Sequence, residues 1–417
     1  MFVPCQAFCE WGQMVSLPAW TPRNILPVHR KDNGGGFNMR LASKRTILSA
    51  TVMVTLCLLS AATKTAAQAG QEPKPRMADE VFKNVQVLKG LPVDEFMDTM
   101  GMISSALGLN CLDCHTSDAD KSWERFAADT TMKQTSRRMI QMVNALNKDN
   151  FRGVRAVTCY TCHRGDLRPK VVPSLIVQYS APSDDPNEVE IPPDSKGSPD
   201  AVFNKYLGAI GGTQALSRFK SYTAKGTYVG FDTHHTMVPV EIFAKAPNQK
   251  TYIIHGAFGD KTWVYDGKSA WAASVDKPLP LMPLTAGNVE GLKVEALVSF
   301  PMGLKQNFSQ WRAGSASIDD KDVTVLQGTN PRQPPVNLYF DSAGLLVRLL
   351  RFVDTALGRI PMQIDYADYR EVAGIKMPFK ITSTWTDGQA TVDLTEVKPN
   401  VEIDPARFGT PAPAQSK

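Results

Sequence analysis

Residues 111–116 read CLDCHT and residues 159–164 read CYTCHR. Each stretch holds Cys, two residues, Cys and His, and the meaning of that repeated pattern decides how the first half of the chain folds. The sequence has seven cysteines and six histidines in 417 residues. Cys5, Cys9 and Cys57 lie in an N-terminal block that reads as a leader. The cysteines left are Cys111, Cys114, Cys159 and Cys162, and each belongs to a Cys-x-x-Cys-His.

Three chemistries use such pairs. Disulfides in an exported chain, or a structural zinc on four thiolates, need the cysteines but not the histidines. Covalent haem needs all three residues: the thiols add across the two vinyl groups, and the His reaches the iron as an axial ligand. Two motifs therefore predict two haems c, one on Cys111, Cys114 and His115 and one on Cys159, Cys162 and His163.

The formal charge of +5 sits in the first 69 residues, where seven Lys and Arg face Glu10 and Asp32. The remainder is neutral, which gives no electrostatic basis for nucleic-acid binding. Arg40, Lys44 and Arg45 precede the apolar run TILSATVMVTLCLLSAA and small residues ending Ala67-Gln68-Ala69, the pattern of a cleaved secretion signal over 39–69. An uncleaved anchor is the rival reading, but the run is short for a span and is diluted by Thr and Ser. Residues 1–38, with Pro4, Pro18, Pro22, Pro27 and three consecutive glycines, read as low-order sequence ahead of a start at Met39. The expectation is a periplasmic protein beginning near Gly70, with peripheral association with the membrane as a further option.

A sixth iron ligand comes from the helices that precede the motifs. LPVDEFMDTMGMISSALGLN, residues 91–110, opens with Pro92 in the first turn, carries Asp94 and Glu95 at the positive end and exits at Gly108. Val93, Phe96, Met97, Met100, Ile103 and Leu107 recur at helical spacing. TSRRMIQMVNALNKDNF, residues 135–151, supplies a second helix with Met139 and Met142. A thioether is the common partner of His in electron-transfer haem, yet a Met in an apolar stripe also serves as core, and periodicity does not choose among these methionines.

The stretch from EFMDTM through CLDCH, then RRMIQMVNALN, then VTCYTCHRG resembles the cytochrome c subunit of photosynthetic reaction centres, in the half that carries its first two haems. The resemblance covers residues 79–169. It implies that each haem takes its Met from the helix before its motif, pairing Met100 with His115 and Met139 with His163, and leaves Met97, Met102 and Met142 as neighbours or core. The family usually has four haems and a histidine between the second helix and the second motif. Here KDNFRGVRA has none and no further Cys-x-x-Cys-His follows, so the resemblance is to a two-haem relative. An iron held by His and Met has no open position, so the implied activity is single-electron transfer rather than catalysis, with redox proteins such as a reaction centre or a small soluble cytochrome as partners. Arg137, Arg138, Arg164 and Arg168 are candidates for pairing with haem propionates or an acidic partner, with solvated surface as the plainer reading.

After residue 169 the chain changes character. APSDDPNEVEIPPDSKGSPD, within the expected linker 170–200, has five prolines and no aromatic residue. Strand-like segments with turn signals follow, including YTAKGTYVG, VPVEIFAKA, KTWVYDGKSAWAA and IPMQIDYADYREV, with a helical interlude in LTAGNVEGLKVEALVSFPMGLKQNFSQW. The NLYFDSAGLLVRL hairpin and the DYADYREVAGIKMPFKI stretch that follows are similar to the periplasmic outer-membrane lipoprotein carriers and their half-barrel relatives, over about 200–410. That resemblance implies an apolar concave face able to take an acyl chain or a lipoprotein. His234, His235 and His255 lack neighbours at metal-ligand spacing, and no nucleophile–base constellation stands out, so no catalytic residue is assigned.

The expected fold is a multidomain α + β protein. A mainly α-helical dihaem c-type domain spans 70–169, an antiparallel β half-barrel with covering helices spans 201–410, and 411–417 form a disordered tail. Electron carriage is the function expected. The alternatives are a dihaem peroxidase-type enzyme, which needs an exchangeable iron position, and a lipid-binding module that uses haem as sensor or staple.

Overall fold

The computed structural model describes residues 74–119, 122–172 and 197–416, which belong to one compact unit running Gly70–Lys417. The expected leader and most of the expected linker lie outside the described residues.

The helical segment follows its capping signals. After a short turn, α1 (Ala78–Val81), α2 runs Val93–Leu107 from Pro92 to Gly108, whose φ of 64° is the left-handed exit. Helix α3 (Cys111–Cys114) is the first motif, a single turn opened by Asn110, whose side chain accepts from Leu112 N at 2.8 Å. Thr130 caps α4 (Thr131–Asn150) by accepting from Lys133 N. The second motif forms α5 (Cys159–His163), opened by Thr158 and Thr161, and Thr158 N donates to Thr161 Oγ1 at 3.0 Å.

Two helices then lead into the sheet, α6 (Pro199–Ala209) and α7 (Gly212–Arg218). Strands β1 (Ser221–Gly230), β2 (Val238–Lys245), β3 (Gln249–Gly256), β4 (Gly259–Tyr265), β5 (Ala270–Ala273) and β6 (Met282–Pro283) come first, followed by helix α8 (Ala286–Ser299). Strands β7 (Gln310–Ile318), β8 (Lys321–Thr329), β9 (Val336–Phe340), β10 (Leu346–Thr355), β11 (Gly358–Val372), β12 (Ile375–Trp385) and β13 (Gly388–Pro399) complete one antiparallel sheet.

Its spatial order is β6-β5-β4-β3-β2-β1-β13-β12-β11-β10-β9-β8-β7. The chain lays six strands outward to one edge, crosses by α8 to the other edge and returns, so that the first and last strands meet. Tyr228 stands opposite Val392 at that junction. Sequential neighbours therefore pair by hairpins, and α8 supplies the long connection.

The large antiparallel sheet with covering helices accords with the reading of the C-terminal half. One apolar face packs Phe203, Tyr206, Leu216, Val294, Leu297 and Phe300 of the helical segments against Tyr222, Ile242, Leu338, Phe340, Leu349 and Ile364 of the strands. Each such side chain contributes about 1.5–3 kcal/mol on burial, which is enough to hold amphipathic helices of this length on a sheet. Within α8, Gly291 has no side chain where the Arg351 guanidinium lies, and that guanidinium meets Glu295 at 2.9 Å with both groups largely buried.

Candidate functional site

The two motifs and the two long helices are laced together. α2 packs on the second motif: Gly165 N donates to Ala106 O at 2.9 Å, and a Cβ at Gly108 would strike the Gly165 carbonyl. α4 packs on the first motif, where Thr130 Oγ1 donates to Cys114 O at 2.5 Å. Asn147, buried in α4, accepts from Ala156 N and Val157 N and donates to Val157 O, fixing the approach to Cys159.

Met100, Cys111, Cys114 and His115, the residues expected around the first haem, all line one cavity of about 760 Å³ that runs on along the sheet past Tyr252, Trp263, Tyr366 and Trp385. Phe82, Val87, Leu88, Phe96, Ile103, Phe126 and Ile140 supply apolar wall, while Lys133 and Arg137 reach it from α4. Of the four arginines singled out in the sequence, Arg137 is the one that lines this cavity, and it is also paired with Asp129 at 2.8 Å. A run of ring contacts from Phe96 through Phe82, Trp123 and Phe126 ends edge-on against the His115 ring at 4.8 Å.

Both motif histidines are oriented the same way. His115 Nδ1 lies 3.1 Å from Phe126 O, and His163 Nδ1 lies 3.1 Å from Asp166 O. A carbonyl accepts only, so Nδ1 is the donor in each ring, and in the neutral tautomer this leaves the lone pair on Nε2, the arrangement that outer hydrogen bonds give to metal-ligating imidazoles. Burial, reinforced by the Lys133 charge and opposed by the Phe126 carbonyl, holds His115 below the usual imidazole range, which favours the neutral ring. Burial also raises the Cys114 and Cys159 thiols.

Open apolar surface lies along α4 and in the chain around the second motif. Met139 and Met142 are 39% and 45% exposed, and with Leu146 they form a stripe along α4, while Phe151, Val154 and Tyr160 are exposed nearby in the chain. The four cysteines carry free thiols, and among the described residues no group of three or more His, Cys, Asp and Glu side chains is placed to hold a metal ion.

His255 lies between Glu241 and Asp260, whereas His234 and His235 sit in a loop with positive φ. The carbonyl of Phe126 and the contacts made by Asp94 were not legible in the sequence, because both depend on residues brought together by folding.

Two Cys-x-x-Cys-His turns, each with the His Nδ1 on a backbone carbonyl and a methionine helix before it in the chain, make the N-terminal segment similar to c-type cytochromes. Residues 35–196 match the family model described as the photosynthetic reaction centre cytochrome C subunit. The photosynthetic reaction center cytochrome c subunit of Thermochromatium tepidum is 42% identical over 97 residues, 22% of this chain and 23% of the relative. That of Rubrivivax gelatinosus is 41% identical over 100 residues, 23% of this chain and 25% of the relative. The chain thus spans about a quarter of the length of these curated relatives.

Among solved structures, a LolA superfamily protein from Nitrosomonas europaea overlaps 50% of this chain and 96% of its own, at 14% identity and a TM-score of 0.34. A DUF1329 family protein from Desulfovibrio piger covers the same shares at 8% identity and a TM-score of 0.33. Among the described residues no helix is long and apolar enough to cross a membrane.

Proposed function

We propose that the chain is a dihaem c-type cytochrome that carries single electrons in the periplasm, with a mainly helical haem-bearing segment followed by a half-barrel. The observation that carries this reading is the matched setting of His115 and His163, each with Nδ1 committed to a backbone carbonyl and each directly after a Cys-x-x-Cys pair. The residues fit the group. Cys111 and Cys114 would hold the first haem through thioether bonds, and His115 and Met100 would hold its iron. Cys159 and Cys162 would hold the second, with His163 and Met139. Held in this way, haem supplies reversible ferric–ferrous cycling at a potential raised by the thioether.

The protein's own residues orient the imidazoles, keep water from the Met100 side with Phe96, Ile103 and Leu88, and offer Arg137 and Lys133 as positive charge beside the first site. The apolar stripe on α4 is the surface that a second haem would cover. Family likeness makes a reaction centre or a small soluble cytochrome the natural redox partner.

A potentiometric titration followed optically tests this. Two one-electron waves, both in the raised range of Met-ligated iron, with no carbon monoxide uptake by the reduced protein, are expected. Ready carbon monoxide binding at either haem would favour an enzyme with an open iron position.

A further inference from the structure

Helix α2 carries three methionines, and the structure treats them differently. Met97 packs with Val93 against Ala272 and Met282 of the sheet, at a point where it also lines the cavity that Met100 reaches. Met102 is buried, with its thioether lying over Gly358 at the start of β11, where any Cβ would collide with it. Met100 belongs to the cluster of Leu88, Ile140 and Leu357, with Phe96 and Ile103, and opens on the cavity that holds Cys111, Cys114 and His115. At about 100° per residue, Met102 lies roughly 160° around the helix from Met100.

The same helix carries a buried polar clamp. Asp94 is 3% exposed. One of its carboxyl oxygens accepts from Thr285 N at 2.6 Å, and both lie 2.9 Å from the Thr285 hydroxyl. Thr285 is the residue that opens α8, a 14-residue helix, so Asp94 of one helix serves the free N–H end of another. Asn288, one turn on, donates to Asp94 at 3.3 Å and to Asp98 at 2.8 Å. Farther along α2, Ala356 N donates to Thr99 Oγ1 at 3.4 Å, and Arg155, ahead of the second motif, donates to Thr355 O and Gly358 O.

We propose that the β-sheet half selects the axial methionine of the first haem: the Asp94–Thr285–Asn288 clamp fixes the rotation of α2, engages Met97 and Met102 in the sheet, and presents Met100 to the iron. This rests on the reading of Met100 as a ligand. It assigns the C-terminal half a role in haem chemistry, and it makes Asp94, Thr285 and Asn288 positioning residues that act on the methionine through the rotation of α2.

The test uses the full chain, exported by a host that matures cytochromes c. Asp94→Ala removes the clamp's acceptor, Asp94→Asn keeps one acceptor oxygen for Thr285 N, and Asn288→Ala is the milder change should Asp94→Ala fail to fold. The readouts are the weak red-edge absorption of Met-ligated ferric haem, the two midpoint potentials, and carbon monoxide uptake after reduction.

Asp94→Ala and Asn288→Ala should retain two covalent haems yet lose red-edge intensity, lower one midpoint potential and admit carbon monoxide at one haem, with Asp94→Asn restoring part of the signal. Variants that unfold more readily but keep both potentials and the full band would overturn the proposal and leave the clamp a purely structural tie. Met100→Ala separates the two levels. If it leaves spectrum and potentials unchanged, the assignment of Met100 fails and the clamp proposal falls with it; if it removes the band while Asp94→Ala and Asn288→Ala do not, only the clamp proposal fails.

Discussion

Replacing Gly108 by Ala tests the junction between α2 and the second motif. Gly108 ends α2 with φ of 64°, and the Cβ it lacks would strike the carbonyl of Gly165, two residues after His163. The left-handed conformation costs an alanine about 1–2 kcal/mol. Displacing Gly165 also strains the 2.9 Å bond from its N–H to Ala106 O, worth about 1 kcal/mol, so the expected loss is about 2–3 kcal/mol. Gly153 gives the reference: its φ is 78°, but a Cβ there would meet nothing within 4 Å, so Gly153→Ala carries the conformational term alone. Any entropy gain from restricting the unfolded chain is common to both variants. Urea unfolding of the haem-loaded protein, followed by Soret absorbance, should place Gly108→Ala about 1 kcal/mol or more below Gly153→Ala and should perturb the spectrum of the second haem. Equal stabilities with unaltered spectra would show that α2 does not bear on the second motif as described.

Met139→Ala should remove the methionine signature from one haem and lower its potential, while Met142→Ala, at a neighbouring exposed position, should spare both; the reverse result would move the ligand one turn along α4. Lys261 is largely buried and meets Asp232 at 3.0 Å and Asp276 at 2.7 Å, and although burial pushes Asp276 up, its bonds to Lys261 and Ser274 hold it below the usual carboxylate range. Lys261→Met therefore leaves two carboxylates without their cation and, because Asp232 and Asp276 are partly solvated, should cost about 1–2 kcal/mol at neutral pH. Because a depressed carboxyl stabilises the fold above its ordinary pKa and loses that contribution as pH falls, the deficit should shrink on acidification towards pH 3, and chemical denaturation at several pH values would expose a constant deficit if this is wrong.

The ends of α2 were legible because Pro92 and Gly108 are local signals, and the strands and the β9–β10 hairpin because alternation and turn residues are local too. The expected single apolar stripe on α2 was an incomplete description. Thr99, Met102 and Ala106 are buried as fully as Val93, since α2 meets the sheet as well as the motifs. Asp94 read as an acid favouring its own helix start, and its partner stands 191 residues away at the start of α8. No periodicity reports a contact of that range. The motif cysteines and histidines were readable as chemistry, whereas the carbonyls that orient His115 and His163 belong to backbone whose position follows only from the fold.

The most direct test is the covalent haem content of the exported protein, by intact mass together with the alkaline pyridine spectrum. Two haems per chain, both lost stepwise in Cys114→Ser and Cys162→Ser variants, is the predicted result. A chain that emerges from a maturation-competent host without haem, holding zinc or disulfides on the same cysteines, would contradict the assignment of both sites.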